Sequence, residues 1–465
     1  MPKRPTLLLA LLLGGCSMQP KYVQPGLPTA PHYPAYAGSA AAGPRAPDFE
    51  WRSFFPDPRL QALIATALDN NRDLRTAVLR IDEARGQYRI QRADQVPNVD
   101  ATAGASRSRI AGENGAPAIT SNRFEVGASV ASFELDFWGR VRSLTESARA
   151  NYLSTIHAQR AFQISLVADV ADAYLIEREL DARIAVAEDT VQSRVRALEI
   201  GKKRLDAGVT SALDYRAIET LLTQAQTERA DLELQRAEAR NLLEFLVGGP
   251  VRIPLPAPLP LASQGIVDNI APGLPSELLA NRPDILEAEE QLRAANADIG
   301  AARAAFFPQI SLTGALGFAS TALGSLFGGS AFTWNFGGNA TLPIFDGGRN
   351  KGNLDVAVAR HGIAIAGYER TIQNAFREVS DRLAGRRWLA ERLASQQRGV
   401  DAQRARAELA RLRYANGVAN YLEVLDALRE LFAAEQLLLL TKRQQLTNAV
   451  DLYVALGGGL EGGRS

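Results

Sequence analysis

Cysteine is almost absent. The 465 residues contain one, Cys16, so no disulfide can form within the chain. Histidine is nearly as scarce: His32, His157 and His361 are scattered without metal-ligand spacing. No nucleophile elbow and no phosphate loop is present, so the sequence leads to an expectation of no enzyme, no metal and no other cofactor. An excess of one charge is missing too. Lysine and arginine number 52 against 51 aspartate and glutamate, a formal net charge of +1, which implies no general attraction to nucleic acid or anionic lipid. Hydrophobic residues make up 46% of the chain, yet no apolar helix is long enough to span a bilayer. Any membrane role must therefore come from strands or from an attached lipid. Proline is lacking for more than 100 residues after Gly139, which permits helices far longer than those of an ordinary globular domain.

The N-terminus carries an export signal. Lys3 and Arg4, an apolar run from Thr6 to Leu13 and two glycines before Cys16 define a signal peptide over residues 1–15. The stretch Leu13-Gly14-Gly15-Cys16 resembles a bacterial lipoprotein box, which makes Cys16 the expected site of lipidation; the other reading is a free thiol in an ordinary signal. Ser17 stands where an aspartate would suggest retention at the inner membrane, so the resemblance implies outer-membrane sorting. Residues 16–57 read as a lipid anchor and an extended tether rich in proline, alanine and glycine.

Between Pro308 and Phe345 the pattern has period two. Ile310, Leu312, Leu316 and Phe318 alternate with polar or small residues, and so do Phe332, Trp334, Phe336, Leu342 and Ile344. These rows predict two strands, each with one apolar and one wet face, long enough to cross a bilayer at a tilt. A half-buried pair in a soluble sandwich would show the same alternation. A weaker alternating segment runs from Val99 to Ala105, and Phe124, Val126, Ala128 and Val130 form another row. Its phase slips at Phe133, Leu135 and Phe137, which predicts a bulge or a strand leaving the sheet.

The rest is helical. Leu60, Leu63, Ile64, Ala67 and Leu68, then Leu74, Ala77, Val78 and Ile81, predict one helix from Pro58 to about Gln95. A long helix from Arg140 to about Leu205 stops at Gly208, and Ser211 is the candidate cap of a return helix. The pattern then begins again. Leu74, Ala77, Ile81, Ala84 and Pro97 return in order as Ile285, Ala288, Leu292, Ala295 and Pro308, and Gly208-Val209 returns as Gly417-Val418, at a constant offset of about 210 residues. The chain thus divides into a first structural repeat, 58–250, a proline-rich connector, 251–275, a second repeat, 276–458, and a tail, 459–465. The motif Gly347-Gly348-Arg349-Asn350-Lys351-Gly352 could suggest phosphate binding, but its partner Trp138-Gly139-Arg140 marks both as junctions between strand and helix.

Four strands per chain cannot close a barrel, and an open edge in lipid leaves backbone groups unpaired, so the chain must oligomerise. Two copies would give about 8 strands around a filled lumen, whereas three would give about 12 and leave room for water.

The lipoprotein box, the duplicated strand pair and helix pair, and the stretch from Tyr414 through Gly417 and Glu423 to Asp426 resemble the outer membrane factors of tripartite export systems. These are the TolC-like channels, here of the lipoprotein branch that includes OprM-type and NodT-type proteins. The resemblance covers nearly the whole mature chain. It implies a mixed membrane α/β fold: a homotrimer with a single twelve-stranded outer-membrane β-barrel, four strands per chain, continued by a long periplasmic α-helical tunnel. It implies a passive exit duct for small molecules, served by a periplasmic adaptor and an inner-membrane transporter of the RND type, with no nucleic-acid partner. The even row, Ile310 to Ile344, would face outer-membrane lipid. The turns Gly208, Val209, Thr210, Ser211 and Gly417, Val418, Ala419, Asn420 would meet the adaptor. Leu422, Glu423 and Asp426, with Tyr414, would form the periplasmic gate. On the residues alone, Glu423 and Asp426 also suit a solvated helix face on which Asp426 pairs with Arg429. The alternatives in function are a duct for secreted polypeptides and a lipid-anchored coiled-coil scaffold of the envelope.

Overall fold

The computed structural model describes residues 17–34, 45–48, 50–112, 117–252 and 254–458. The signal peptide, Cys16 and the tail 459–465 lie outside them. The elements in order are α1 (Trp51–Phe54), α2 (Pro58–Asn70), α3 (Arg72–Ala93), β1 (Asp100–Ile110), β2 (Ile119–Glu134), α4 (Arg140–Asp206), α5 (Ala212–Val247), α6 (Leu278–Asn281), α7 (Pro283–Ala304), β3 (Gln309–Ser320), β4 (Phe332–Thr341), α8 (Arg349–Ala415) and α9 (Tyr421–Ala455). Helices α4 and α8 have 67 residues each, roughly 100 Å at 1.5 Å per residue.

The residues form two compact units, which cut across the sequence repeat. Among the described residues, one comprises 17–26, 79–112, 117–157 and 286–370; the other comprises 27–34, 45–48, 50–78, 158–252, 254–285 and 371–458. Each repeat supplies residues to both.

The first unit holds one antiparallel sheet in the order β1-β2-β3-β4. Its register aligns the apolar rows. Leu316 lies opposite Trp334 and Phe318 opposite Phe332, while Val126 and Ala128 oppose Phe318 and Leu316. The predicted slip in β2 is a bulge between Val130 and Phe133, after which Phe133 opposes Leu312. An extra residue changes parity, so the bulge keeps the odd-numbered Phe133 on the face that the even-numbered Val130 occupied. Strand β4 ends at Thr341, so Leu342 and Ile344, expected in the strand, lie beyond it. The loop between β3 and β4 contains two short 3-10 turns, Leu323–Ser325 and Gly329–Ala331.

Each junction from strand to helix is closed by a carboxylate. Asp136 accepts from the backbone N–H groups of Val141 and Arg142 at 3.1 and 2.8 Å. Asp346 accepts from those of Asn350 and Gly348, both at 2.9 Å. These hydrogen bonds, that from Asn350 foremost, hold the Asp346 carboxyl below the usual range. The glycine motif at 347–352 is therefore a helix start that already carries its own anion.

Residues 17–26, part of the segment read as an extended tether, are fastened to α7 and α8. The Asn296 amide donates to the Pro20 carbonyl at 2.9 Å, Tyr22 donates to Glu289 at 3.3 Å, and Gln24 donates to the Tyr368 hydroxyl at 3.0 Å. Polar groups on a proline-rich segment gain order where rigid partners are supplied.

In the second unit Trp51, Phe54, Phe55, Leu60, Leu63 and Ile64 are buried with Tyr453, whose ring stacks on Phe54 at 4.0 Å between centroids. Buried Asp57 serves twice: it caps α2 through the Arg59 N–H at 2.8 Å and accepts from the Tyr174 hydroxyl at 2.6 Å. The single helix expected from Pro58 to about Gln95 is two, because Asn71 turns extended. Its side chain caps α3 at the Leu74 N–H and donates to the Leu246 carbonyl, at 2.9 and 2.8 Å. The repeat is physical here as well. Gly248 and Gly457 end α5 and α9 with φ of 90° and 84°. A Cβ on either would lie 2.4 or 2.7 Å from the carbonyl oxygen of Asn70 or Asn281. Arg282 takes the place of Asn71 and donates to the Ala455 carbonyl at 3.0 Å.

One buried acid makes stability depend on pH. Burial, then the negative charge of Asp451, raises the Asp172 carboxyl from 3.8 to about 7. A raised carboxyl favours the protonated fold, so its contribution is present at low pH and is lost as pH rises towards 7. Asp172→Asn should therefore stabilise the fold much more at pH 8 than at pH 5, by on the order of 2–4 kcal/mol at the higher pH, with a correspondingly larger rise in the melting midpoint. Equal gains in melts at the two pH values would place the titration elsewhere.

Candidate functional site: helix turns, acidic pair and strand face

The two turns are built alike. After α4 the chain reverses at Gly208, φ 70°, and after α8 at Gly417, φ 72°, a left-handed conformation that glycine adopts at little cost. Ser211 caps α5 in a reciprocal box: its hydroxyl accepts from the Asp214 N–H at 3.1 Å, and the Asp214 carboxylate accepts from the Ser211 N–H at 3.4 Å. The Ser211 and Thr210 hydroxyls also donate to Asp214, at 2.8 and 3.2 Å, and the Ser211 hydrogen bond is the main cause of its lowered pKa. At the other turn Asn420 caps α9 by accepting from the Glu423 N–H at 3.2 Å. Each turn presents a valine, Val209 at 65% exposure and Val418 at 69%, followed by an exposed leucine, Leu213 or Leu422. Ala419 stands beside Val418 where Thr210 stands in the first turn.

The acidic pair is not a bare negative patch. One Asp426 oxygen accepts from Arg406 on α8 at 2.5 Å and the other from Arg429 on α9 at 2.7 Å. Glu423 lies 3.4 Å from Arg413. The pairing with Arg429 was visible in the sequence. Arg406 and Arg413 were missed, because counting equal distances from Gly417 along α8 and α9 puts Arg411 opposite Glu423 and Glu408 opposite Asp426; which arginines meet the acids depends on how the two helices face each other. These pairs are exposed, so they set local charge and orientation more than stability. Tyr414 packs on Tyr421, centroids 4.8 Å apart, and the Arg204 guanidinium lies 5.1 Å over the Tyr414 ring, tying α4 to α8 near the turns. Behind them Val424 and Ala427 are buried with Ala407 and Ala410.

In the first unit Leu316, Phe332, Trp334 and Phe336 lie exposed along the even face, while Ile310, Leu312 and Phe318 are half-buried. No described helix is long and apolar enough to cross a membrane. An apolar sheet face this wide on a strand-and-long-helix chain, with β1 and β4 unpaired on their outer edges among the described residues, defines a subunit of a membrane channel.

The comparisons agree. The chain belongs to the outer membrane efflux protein family, whose match covers residues 63–249 and 274–458. It is 43% identical over 463 residues to the outer membrane protein OprJ of Pseudomonas aeruginosa, covering 99% of this chain and 96% of that one. It is 40% identical over 452 residues to the cation efflux system protein CusC of Escherichia coli, covering 97% of each. Among solved structures, the open state of the Neisseria gonorrhoeae MtrE outer membrane channel superposes with a TM-score of 0.88 at 39% identity, covering 96% of this chain and 99% of that one. The protein is an outer-membrane efflux component with the mixed α/β, internally duplicated fold that the sequence implied.

Proposed function

We propose that three copies of this chain close one twelve-stranded barrel and act as the passive exit duct of a tripartite efflux pump. The observation that carries this is the four-stranded sheet with an apolar face and two outer edges left to pair. In lipid those edges must meet other strands, and three copies leave a lumen wide enough for water. In this reading the even row, with Leu342 and Ile344 just past β4, faces lipid, and Cys16 carries the acyl anchor. The α-helices continue the barrel as a periplasmic tunnel, and the turns at 208–211 and 417–420 receive a periplasmic adaptor whose inner-membrane transporter, of the RND type, supplies the energy. Leu422, Glu423 and Asp426 narrow the tunnel, with Tyr414 bracing them. The cargo is small toxic molecules. Native mass spectrometry of the purified protein should give three chains per particle, and planar bilayers should record discrete conductance steps. A monomer or dimer without conductance would overturn the proposal.

A further inference from the structure

Just before the turns of the second unit, α4, α5, α8 and α9 enclose a cavity of about 330 Å³ lined by Arg194, Arg196, Arg204 and Arg411 and by no acidic residue. None of these four arginines has an ion pair among the described residues. Arg194 is only 4% exposed, and its Nη1 is buried without a hydrogen-bond acceptor; the Nε of Arg204 is buried without one as well. Burial, reinforced by Arg411 and opposed by Tyr421, lowers the Arg194 pKa. Unsatisfied guanidinium groups in one cavity are costly unless an acceptor enters. The rest of the lining is largely apolar and aromatic, from Ile200, Ile218, Leu428, Tyr414 and Tyr421. A cavity of this size suits a small molecule.

We propose that this cavity is a binding site for small organic anions, whose carboxylate or sulfonate is held by Arg194 and Arg204 and whose apolar body lies against Ile200, Ile218 and Leu428. Arg411, exposed on α8, adds attraction at the cavity wall. The site involves none of Leu422, Glu423 and Asp426, although Tyr414, on whose ring Arg204 lies, lines it as well.

The test uses the full-length protein in lipid nanodiscs, with 2-naphthoate as the probe and isothermal titration calorimetry as the readout. Naphthoate should bind about tenfold or more tightly than 2-naphthamide, which has the same body without the charge, and inorganic sulfate should not match it. Arg194→Met keeps an apolar stem and should abolish that preference without lowering the melting midpoint, because the lost charge had no partner. Should Arg194→Met fail to fold, Arg411→Met, at an exposed position, should still weaken naphthoate several-fold. Three results would overturn the proposal: equal affinity for naphthoate and naphthamide, sulfate binding as tightly as naphthoate, or naphthoate binding unchanged in the folded arginine variants. A loss of adaptor affinity in Arg194→Met with no naphthoate binding to the parent would also overturn it, by assigning the cavity to a protein partner.

Discussion

Trp334→Arg is expected to cost about 2–4 kcal/mol of stability in a bilayer, whereas Asn335→Arg, one residue on, is expected to cost little. Trp334 is 72% exposed and stands opposite Leu316, which itself opposes Ala128, so the three share one face of the sheet. A guanidinium there would be forced into hydrocarbon, while one at residue 335 would reach the wet face. The measurement is urea unfolding of protein folded into lipid vesicles, with Leu316→Arg as a second case. Equal losses from both faces would mean that the sheet is covered on both sides, and the channel reading would fail.

The second large effect concerns the proposed constriction at Leu422, Glu423 and Asp426. Leu422→Ala should widen the resting pore, because an apolar constriction is one that water crosses poorly. Asp426→Ala should weaken block by divalent cations. The arginines add a converse: Arg406→Gln with Arg429→Gln removes both partners of Asp426, so divalent block should strengthen by several-fold. Single-channel recording in planar bilayers reads all three. If conductance and block stay unchanged in the Leu422→Ala, Asp426→Ala double variant, the constriction lies elsewhere.

The periodic features were legible because they follow from few rules. The long helices follow from missing proline and from glycine stops, the strand faces from alternation, and the bulge near Phe133 from a change of parity. What escaped depends on partners distant in sequence. The break at Asn71 is invisible in the apolar spacing, since the reason for it is the Leu246 carbonyl 175 residues away. Residues 17–26 have the composition of a linker, yet Glu289, Asn296 and Tyr368 fasten them. Strand β1 extends to Ile110, beyond the alternation seen to Ala105, because its alanine and serine residues give little contrast between faces. At the acidic pair only the contact within one helix could be read. The contacts of Arg406 and Arg413 depend on how two helices face each other across the turn.

The likeness of the two turns has a consequence for symmetry. In the proposed trimer each chain contributes two tips, at Val209 and Val418, so a docking partner meets a ring of six nearly equal knobs. The acids do not follow that count: Asp214 stands where Glu423 does, but it is occupied by Ser211 and Thr210, and Ala217 replaces Asp426. The ring is thus sixfold in shape and threefold in charge. A partner of six identical hairpins would sit in two alternating environments, and only every second one would lie above an ionisable pair able to respond to its arrival.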